Sequence, residues 1–98
     1  MLESKIQKSI IDYLKKEGWF TLKIISANRN GIPDLMCIKD GRVVFFEVKQ
    51  PGKKVIPGGL QEYIIAELIR KGVEAYEVHS VNEVKEIFSE TGSICILK

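Results

Sequence analysis

The sequence has few of the residues from which most structural metal and redox sites are built. Its 98 residues include two cysteines and one histidine. Cys37 and Cys95 stand far apart, with no Cys-x-x-Cys spacing, which favours two buried free thiols in a reducing compartment over a disulfide or a zinc site. The neighbourhood of His79 shows no partners for a metal-binding or catalytic role, so we interpret it as a residue at the beginning of a helix.

Long apolar stretches and a strong charge bias are lacking as well. No apolar run approaches the roughly 20 residues of a transmembrane helix, and the N-terminus lacks the apolar segment of a signal peptide. Lys and Arg number 15 against 13 Asp and Glu, giving a net charge of +2, so composition alone does not predict a nucleic-acid partner. We expect a single domain over residues 1–98 with no membrane association. Its expected location is the cytoplasm, bacterial or that of a host if the gene is viral.

Periodicity and turn residues predict eight helices and strands that form an α/β fold (α+β, mixed sheet). The predicted order is α-β-β-β-α-β-α-β. In chain order these are a helix from Leu2 that Gly18 ends, strand Trp19–Ser26, two hairpin strands around Asp40-Gly41, helix Leu60–Lys71, strand Val73–His79, a helix from Ser80 to about Ser89, and strand Ser93–Lys98.

The hairpin carries the main functional pattern. Asp40-Gly41 between two apolar runs predicts a two-residue type I′ turn, which makes the numbers of cross-strand partners sum to 81. Asp34 then faces Glu47, at a pair in which side chains lie closest. Two facing carboxylates repel each other by about 3–4 kcal/mol at an effective dielectric of about 20. A cation bound between them would offset this repulsion, and the same two charges would attract it.

The same register supplies further groups for a metal site. Pro33 falls opposite Val48 and has no N–H, so the Val48 carbonyl loses a ladder partner and becomes available as an oxygen ligand. Lys49 projects from the same sheet face as Glu47, near enough to orient or deprotonate a water or to neutralise a developing charge. Together these groups predict a hydrolytic Mg²⁺ or Mn²⁺ site.

Two helical residues have more than one interpretation. Glu3 lies in the first turn of its helix, where a carboxylate is favoured by the helix N-terminus alone. Gln61 lies in the first turn of the next helix and points back toward the end of the second hairpin strand.

Two loops carry basic residues near the hairpin. Arg29 lies just upstream of the acidic pair and is either a solvated charge or a phosphate contact. The loop Gln50–Gly59 is rich in turn residues, which predicts mobility, and it carries Lys53 and Lys54. These lysines are either solvated or placed to contact a phosphate backbone.

Taken together, these residues resemble the PD-(D/E)XK nuclease superfamily, and within it the virus-type replication-repair nuclease (VRR-NUC) family. The resemblance covers nearly the whole chain. It rests on Asn30-Gly31-Ile32-Pro33-Asp34-Leu35, then Phe46-Glu47-Val48-Lys49, then Gln61 in the following helix.

The resemblance implies a restriction-endonuclease-like PD-(D/E)XK core and a role for each motif residue. Asp34 and Glu47 would hold the metal with the Val48 carbonyl, and Lys49 would assist the water and the scissile phosphate. Gln61 would support the site. Glu3 matches the helix-borne acidic residue often seen in such nucleases.

The function implied is a DNA endonuclease that depends on Mg²⁺ or Mn²⁺. Small stand-alone nucleases of this kind resemble Holliday-junction resolving enzymes, which act as homodimers, so the resemblance also implies a homodimer and branched DNA in replication, repair or recombination. One alternative is a nucleic-acid-binding module that keeps the nuclease fold without turnover. Another is a structural protein in which Asp34 and Glu47 are surface charges only.

Overall fold

Three helices pack around one four-stranded sheet in the computed structural model, which describes residues 2–97 and the side chains of residues 2–89. The sheet order is β1-β2-β3-β4, antiparallel from β1 to β3 and parallel between β3 and β4. Because a parallel pair needs a long crossover connection, α2 lies between β3 and β4 in the chain. The elements are α1 (Glu3–Lys16), β1 (Phe20–Lys23), β2 (Leu35–Lys39), β3 (Arg42–Val48), α2 (Leu60–Arg70), β4 (Glu74–Val78) and α3 (Val81–Leu97).

The first helix ends at the glycine that the sequence indicates. Gly18 has φ of +89°, its N–H bonds to the Lys15 carbonyl, and the Trp19 N–H bonds to the Leu14 carbonyl. These two bonds form a Schellman motif, in which a glycine after the helix adopts the left-handed conformation. The motif turns the chain directly into β1.

One face of the sheet forms the core with α1 and α3. Alternate residues of a strand point to opposite faces, so Phe46 and Val48 enter this core while Glu47 between them faces the other way. The sequence predicts strands covered on both faces, but the second face is only partly buried. The core residues are Ile6, Ile10, Leu14, Trp19, Leu35, Cys37, Val44, Phe46, Val48, Val78 and Val84.

The predicted α/β class with a mixed sheet is confirmed, and the order of elements agrees from α1 to α3. The final predicted strand, Ser93–Lys98, needs correction, because α3 continues through Leu97. A short apolar run fits a strand and a helix segment equally well, so periodicity could not decide between them. Lys98 and the side chain of Cys95 lie outside the described residues, whereas Cys37 is a buried free thiol as predicted.

None of the helices, as described over residues 2–97, is long and apolar enough to span a bilayer.

Candidate active site

The hairpin turn fixes the position of the two acids. Asp40 and Gly41 both have positive φ, 51° and 80°, as a type I′ turn requires. Partner numbers between β2 and β3 sum to 81 along the whole ladder, as predicted. Continued one residue beyond β2, this register brings Asp34 to the level of Glu47.

Asp34 is anchored to the backbone of the opposite strand. Its Oδ2 accepts a hydrogen bond from the Val48 N–H at 2.9 Å, and its carbonyl accepts one from the Ile24 N–H at 2.8 Å. Burial raises the pKa of Asp34 above 3.8, the Val48 N–H opposes that rise, and the charge of Glu3 adds to it. The carboxylate is therefore held in one orientation, with part of its charge uncompensated.

Glu47 is the one buried charged residue among those described, with 3% of its surface exposed. Its Oε2 accepts a hydrogen bond from Gln61 Nε2 at 2.9 Å and lies 3.5 Å from Lys49 Nζ. Its Oε1 is buried and has no hydrogen-bond partner among the described residues. Burial first, and the charge of Asp34 second, raise the pKa of Glu47 from 4.5 to about 7, although Lys49 and Gln61 act in the opposite direction.

The backbone of Val48 points toward Asp34, on the side where Pro33 has no N–H to donate. The Lys49 N–H donates to the Val78 carbonyl at 3.0 Å. At this point the backbone hydrogen bond to β4 therefore comes from Lys49 rather than from Val48. The Val48 N–H instead reaches Asp34. Because the N–H and C=O of one strand residue point to the same side, the Val48 carbonyl also faces the edge beside Asp34 and Pro33.

The N-terminus of α1 brings a third carboxylate to the same end of the sheet. Glu3 Oε1 lies 3.4 Å from the Gln50 N–H, and its charge contributes to the raised pKa of Asp34. The structure therefore brings Glu3, Asp34 and Glu47 into one region. Within the described part of the chain, however, no three His, Cys, Asp or Glu side chains lie close enough together to hold a metal ion by themselves.

One basic residue of this region, Lys23, is not predicted by the sequence patterns above. Lys23 ends β1 and pairs with Leu35, so it lies beside Asp34, and its charge opposes the rise that burial causes in the pKa of that carboxyl. The register between β1 and β2 would have revealed it. The connection between these strands, Ile24–Asp34, is too long for turn chemistry to predict that register.

The first turn of α2 reaches the site without a side-chain cap. Its N-cap is Gly59, and the Gly58 N–H bonds to Glu62 Oε1 at 3.0 Å. This arrangement still directs Gln61 onto Glu47, in agreement with the direction predicted for that side chain.

Arg29 lies on the side of its loop that faces α2. It lines a cavity with Ile64 and Glu67, and its charge lowers the pKa of Glu67. The structure thus places Arg29 near an acidic residue of α2, and contact of Arg29 with a phosphate stays a prediction.

Lys53 and Lys54 are exposed on the loop that leaves the site. The backbone of this loop is attached to the rest of the domain at two points. The Val55 N–H bonds to Glu77 Oε1 at 2.8 Å, and the Lys53 carbonyl lies 2.7 Å from His79 Nε2. Turn-rich composition predicted mobility here and gave no sign of these contacts, which come from β4 and from the beginning of α3.

Comparisons with known proteins identify the family of the chain. A candidate nuclease, p44, of Acyrthosiphon pisum secondary endosymbiont phage 1 is 36% identical over 62 residues, which are 62% of this chain and 67% of that protein. A solved VRR-NUC domain superposes with a TM-score of 0.77 and 25% identity, over 89% of this chain and 94% of the other. No protein-family model matches the chain.

The chain belongs to the VRR-NUC nuclease family. The resemblance seen in the sequence is thereby confirmed, and so is the fold that it implied. The VRR-NUC domain described here places the motif residues of the hairpin, α1 and α2 at one end of β3.

Proposed function

We propose that this VRR-NUC domain is a divalent-metal-dependent DNA endonuclease. The observation that carries the proposal is the state of Glu47. Glu47 is 3% exposed, one of its oxygens has no hydrogen-bond partner in the described part of the chain, and a second acid lies beside it. Burial of such a carboxylate is unfavourable unless a cation binds it.

The donor set fits a hard cation such as Mg²⁺ or Mn²⁺. Asp34 and Glu47 supply carboxylate oxygens and Val48 supplies a backbone carbonyl, and both ions prefer oxygen ligands. Since no three acidic or histidine side chains suffice among the residues described, water and substrate phosphate would complete the coordination, as is usual for Mg²⁺. When bound, the ion would act as a Lewis acid on the phosphodiester and increase the acidity of water.

The remaining residues position groups around the two acids. Gln61 fixes Glu47 Oε2 and so leaves Oε1 as the oxygen for the cation. Lys49 lies on the same side of the sheet, where its ammonium stabilises negative charge on a phosphate under attack. Glu3 extends the acidic edge from α1. By analogy with the superfamily, hydrolysis leaves 3′-hydroxyl and 5′-phosphate ends.

Basic residues around the acids give the surface for DNA. Lys53, Lys54 and Arg29 are exposed, and Lys23 lies beside Asp34. We expect Lys53→Ala with Lys54→Ala to reduce the slope of log affinity against log salt by about 1 for each lysine, as loss of phosphate contacts should.

The decisive test is nicking of duplex, flapped, single-stranded and branched DNA with Mn²⁺. We expect cleavage by the wild type, and a loss of at least about a hundredfold in Asp34→Ala and Lys49→Ala, since each removes a group that acts on the reacting phosphate. Asp12→Ala is the matched control, because Asp12 is exposed and its ion pair is with Lys8 on α1. Equal activity in wild type and Asp34→Ala would exclude the site. Binding without cleavage would favour a module that has lost turnover.

We further propose a homodimer that acts on branched DNA in replication, repair or recombination. A four-way junction has two symmetric positions to cut, which matches a twofold-symmetric enzyme. Cleavage of a four-way junction compared with a splayed duplex, with molecular mass measured in solution, tests both parts. Preference for the splayed duplex by a monomer would contradict the proposal.

A further inference from the structure

The single histidine of the chain lies between hydrogen-bond acceptors, as far as the structure describes its neighbours. His79 Nδ1 lies 3.1 Å from Glu83 Oε1, and Nε2 lies 3.0 Å from Glu77 Oε2 and 2.7 Å from the Lys53 carbonyl. A neutral imidazole has a proton on one nitrogen and a lone pair on the other. That lone pair would face a carboxylate in either tautomer, so only the doubly protonated ring donates on both sides, and the surroundings favour it.

The backbone around His79 fixes the ring in this position. The His79 N–H also donates to Glu83 Oε1 at 3.0 Å, and the Glu83 N–H donates to Ser80 Oγ at 3.2 Å. Ser80 and Glu83 therefore form a capping pair, with the Glu83 carboxylate bonded to the residue before the cap. The beginning of α3 thus holds one side of the imidazole rigidly.

The other side of the ring holds the basic loop. Nε2 bonds to the Lys53 carbonyl, and Glu77, the carboxylate beside Nε2, also accepts the Val55 N–H. Val55 is 9% exposed, so the loop is fastened on both sides of Lys54. The exposed Lys53 and Lys54 side chains project from this fastened segment.

We propose that His79, as an imidazolium, is the positioning residue that holds Lys53 and Lys54 in place to bind the DNA backbone. This inference rests on the proposed DNA-cleaving function for its substrate, whereas the fastening of the loop does not depend on it. Protonation keeps the loop attached. Loss of the proton leaves one donor for the acceptors on both sides of the ring, which weakens the attachment of the loop.

The charges that face the ring agree with this assignment. Glu77 faces it from β4 and Glu83 from α3, while α1 contributes only the uncharged Ile6 and Ser9 to the adjoining cavity. Burial lowers the pKa of His79, but the bonds to Glu83 and to the Lys53 carbonyl and the two carboxylate charges raise it above 6.5 in net effect. A raised pKa means that attachment is complete below the ordinary pKa and is lost as pH rises through the raised one.

The first experiment measures the loop without DNA. Because His79 is the only histidine, its ring resonances follow its protonation directly in an NMR titration. We expect the exchange rate of the Val55 amide, corrected for the intrinsic effect of pH, to rise about tenfold as the ring loses its proton, consistent with loss of a charge-assisted hydrogen bond. An exchange rate that does not follow the titration would overturn the proposal.

The second experiment separates binding from chemistry. We expect His79→Leu to raise KM for DNA about tenfold with kcat within about twofold, since weaker substrate binding alone changes KM. His79→Gln keeps a neutral donor and is expected to restore part of the KM and to remove the pH dependence of KM between pH 6 and 8, an interval that spans roughly the range in which histidine changes charge.

The control experiment repeats His79→Leu in a protein that lacks both lysines. In Lys53→Ala with Lys54→Ala, His79→Leu is expected to leave KM unchanged, because residues that act through one another are not additive. An equal rise in KM with and without the lysines would overturn the positioning role, as would a fall in kcat at constant KM. If no variant binds or cuts DNA, the proposed function fails, and the Val55 exchange still decides whether His79 fastens the loop.

Discussion

Gln61 Nε2 donates a hydrogen bond of 2.9 Å to Oε2 of Glu47, and this bond joins the first turn of α2 to the end of β3. Lys49 Nζ lies 3.5 Å from the same carboxylate oxygen, so Oε1 is the one left buried with no partner from residues 2–89. The bond therefore determines which oxygen of Glu47 is available to a cation.

Removal of the Gln61 donor should weaken cleavage and change its pH dependence. Gln61→Leu takes away one of the interactions that lower the pKa of Glu47, so that pKa should rise above about 7. We expect kcat to fall about tenfold or more, in line with loss of a hydrogen bond to a charged group, and the acidic limb of the pH–rate profile to move to higher pH. The exposed Tyr63 on the same helix supplies the control Tyr63→Ala. An unchanged acidic limb in Gln61→Leu would contradict the prediction.

Neutralising Glu47 should stabilise the metal-free protein near neutral pH. The folded-state pKa of Glu47 is raised from 4.5 to about 7, so its contribution to stability is full below pH 4.5 and is lost as pH rises through about 7. A rise of this size corresponds to about 3 kcal/mol. We expect Glu47→Gln to raise the free energy of unfolding at pH 8, in chelator, by about 1–3 kcal/mol, while abolishing cleavage. A lower free energy of unfolding for Glu47→Gln at pH 8 would show that burial and the charge of Asp34 do not destabilise the ionised carboxylate.

Divalent metal should stabilise the fold through the same acids. A ligand that binds only the native state raises the free energy of unfolding by mass action, by about 2.7 kcal/mol at a concentration of 100 Kd. We expect Mn²⁺ to raise the Tm of the wild type and to leave that of Glu47→Ala unmoved. Asp12→Ala, remote from the acids, should shift like the wild type. Equal shifts in all three proteins would place metal binding elsewhere.

Gly31 should tolerate no side chain, because it packs against α2. A Cβ there would lie 2.9 Å from Leu60 Cγ and 3.1 Å from the Leu60 carbonyl, at φ of +86°. Gly41 is the matched control, since its φ is +80° and a Cβ would meet nothing within 4 Å. We expect Gly41→Ala to cost about 1–2 kcal/mol from backbone conformation alone, and Gly31→Ala to cost about 1–3 kcal/mol more from overpacking. Denaturant unfolding measures both, and equal costs would show that the loop and α2 separate freely.

Turn chemistry made the central pair of acids predictable from sequence. Asp40-Gly41 selects the type I′ turn, and a two-residue turn fixes every pair of the hairpin out to Asp34 and Glu47. The parity of side chains along β3 likewise placed Lys49 beside Glu47. The helix end at Gly18 was predictable for the same reason, because it depends only on neighbouring residues.

Contacts between distant segments needed the folded chain. The hydrogen bond from the Val48 N–H to Asp34, the burial that raises the pKa of Glu47, and the place of Lys23 beside Asp34 all depend on how strands and helices pack. The same holds for the bond between His79 and the Lys53 carbonyl, which are separated by 26 residues in the chain.

The sequence by itself determined the mixed α/β class, the hairpin register and the identity of the motif residues. Tertiary structure alone decided that Glu47 Oε1 lies buried with no partner among the side chains described, that His79 fastens the basic loop, and that the last apolar segment continues α3 through Leu97. The division has one physical cause. Turns and caps are set by interactions over a few residues, whereas burial, charge proximity and the choice between strand and helix for a short apolar run are set by what the rest of the chain packs against them.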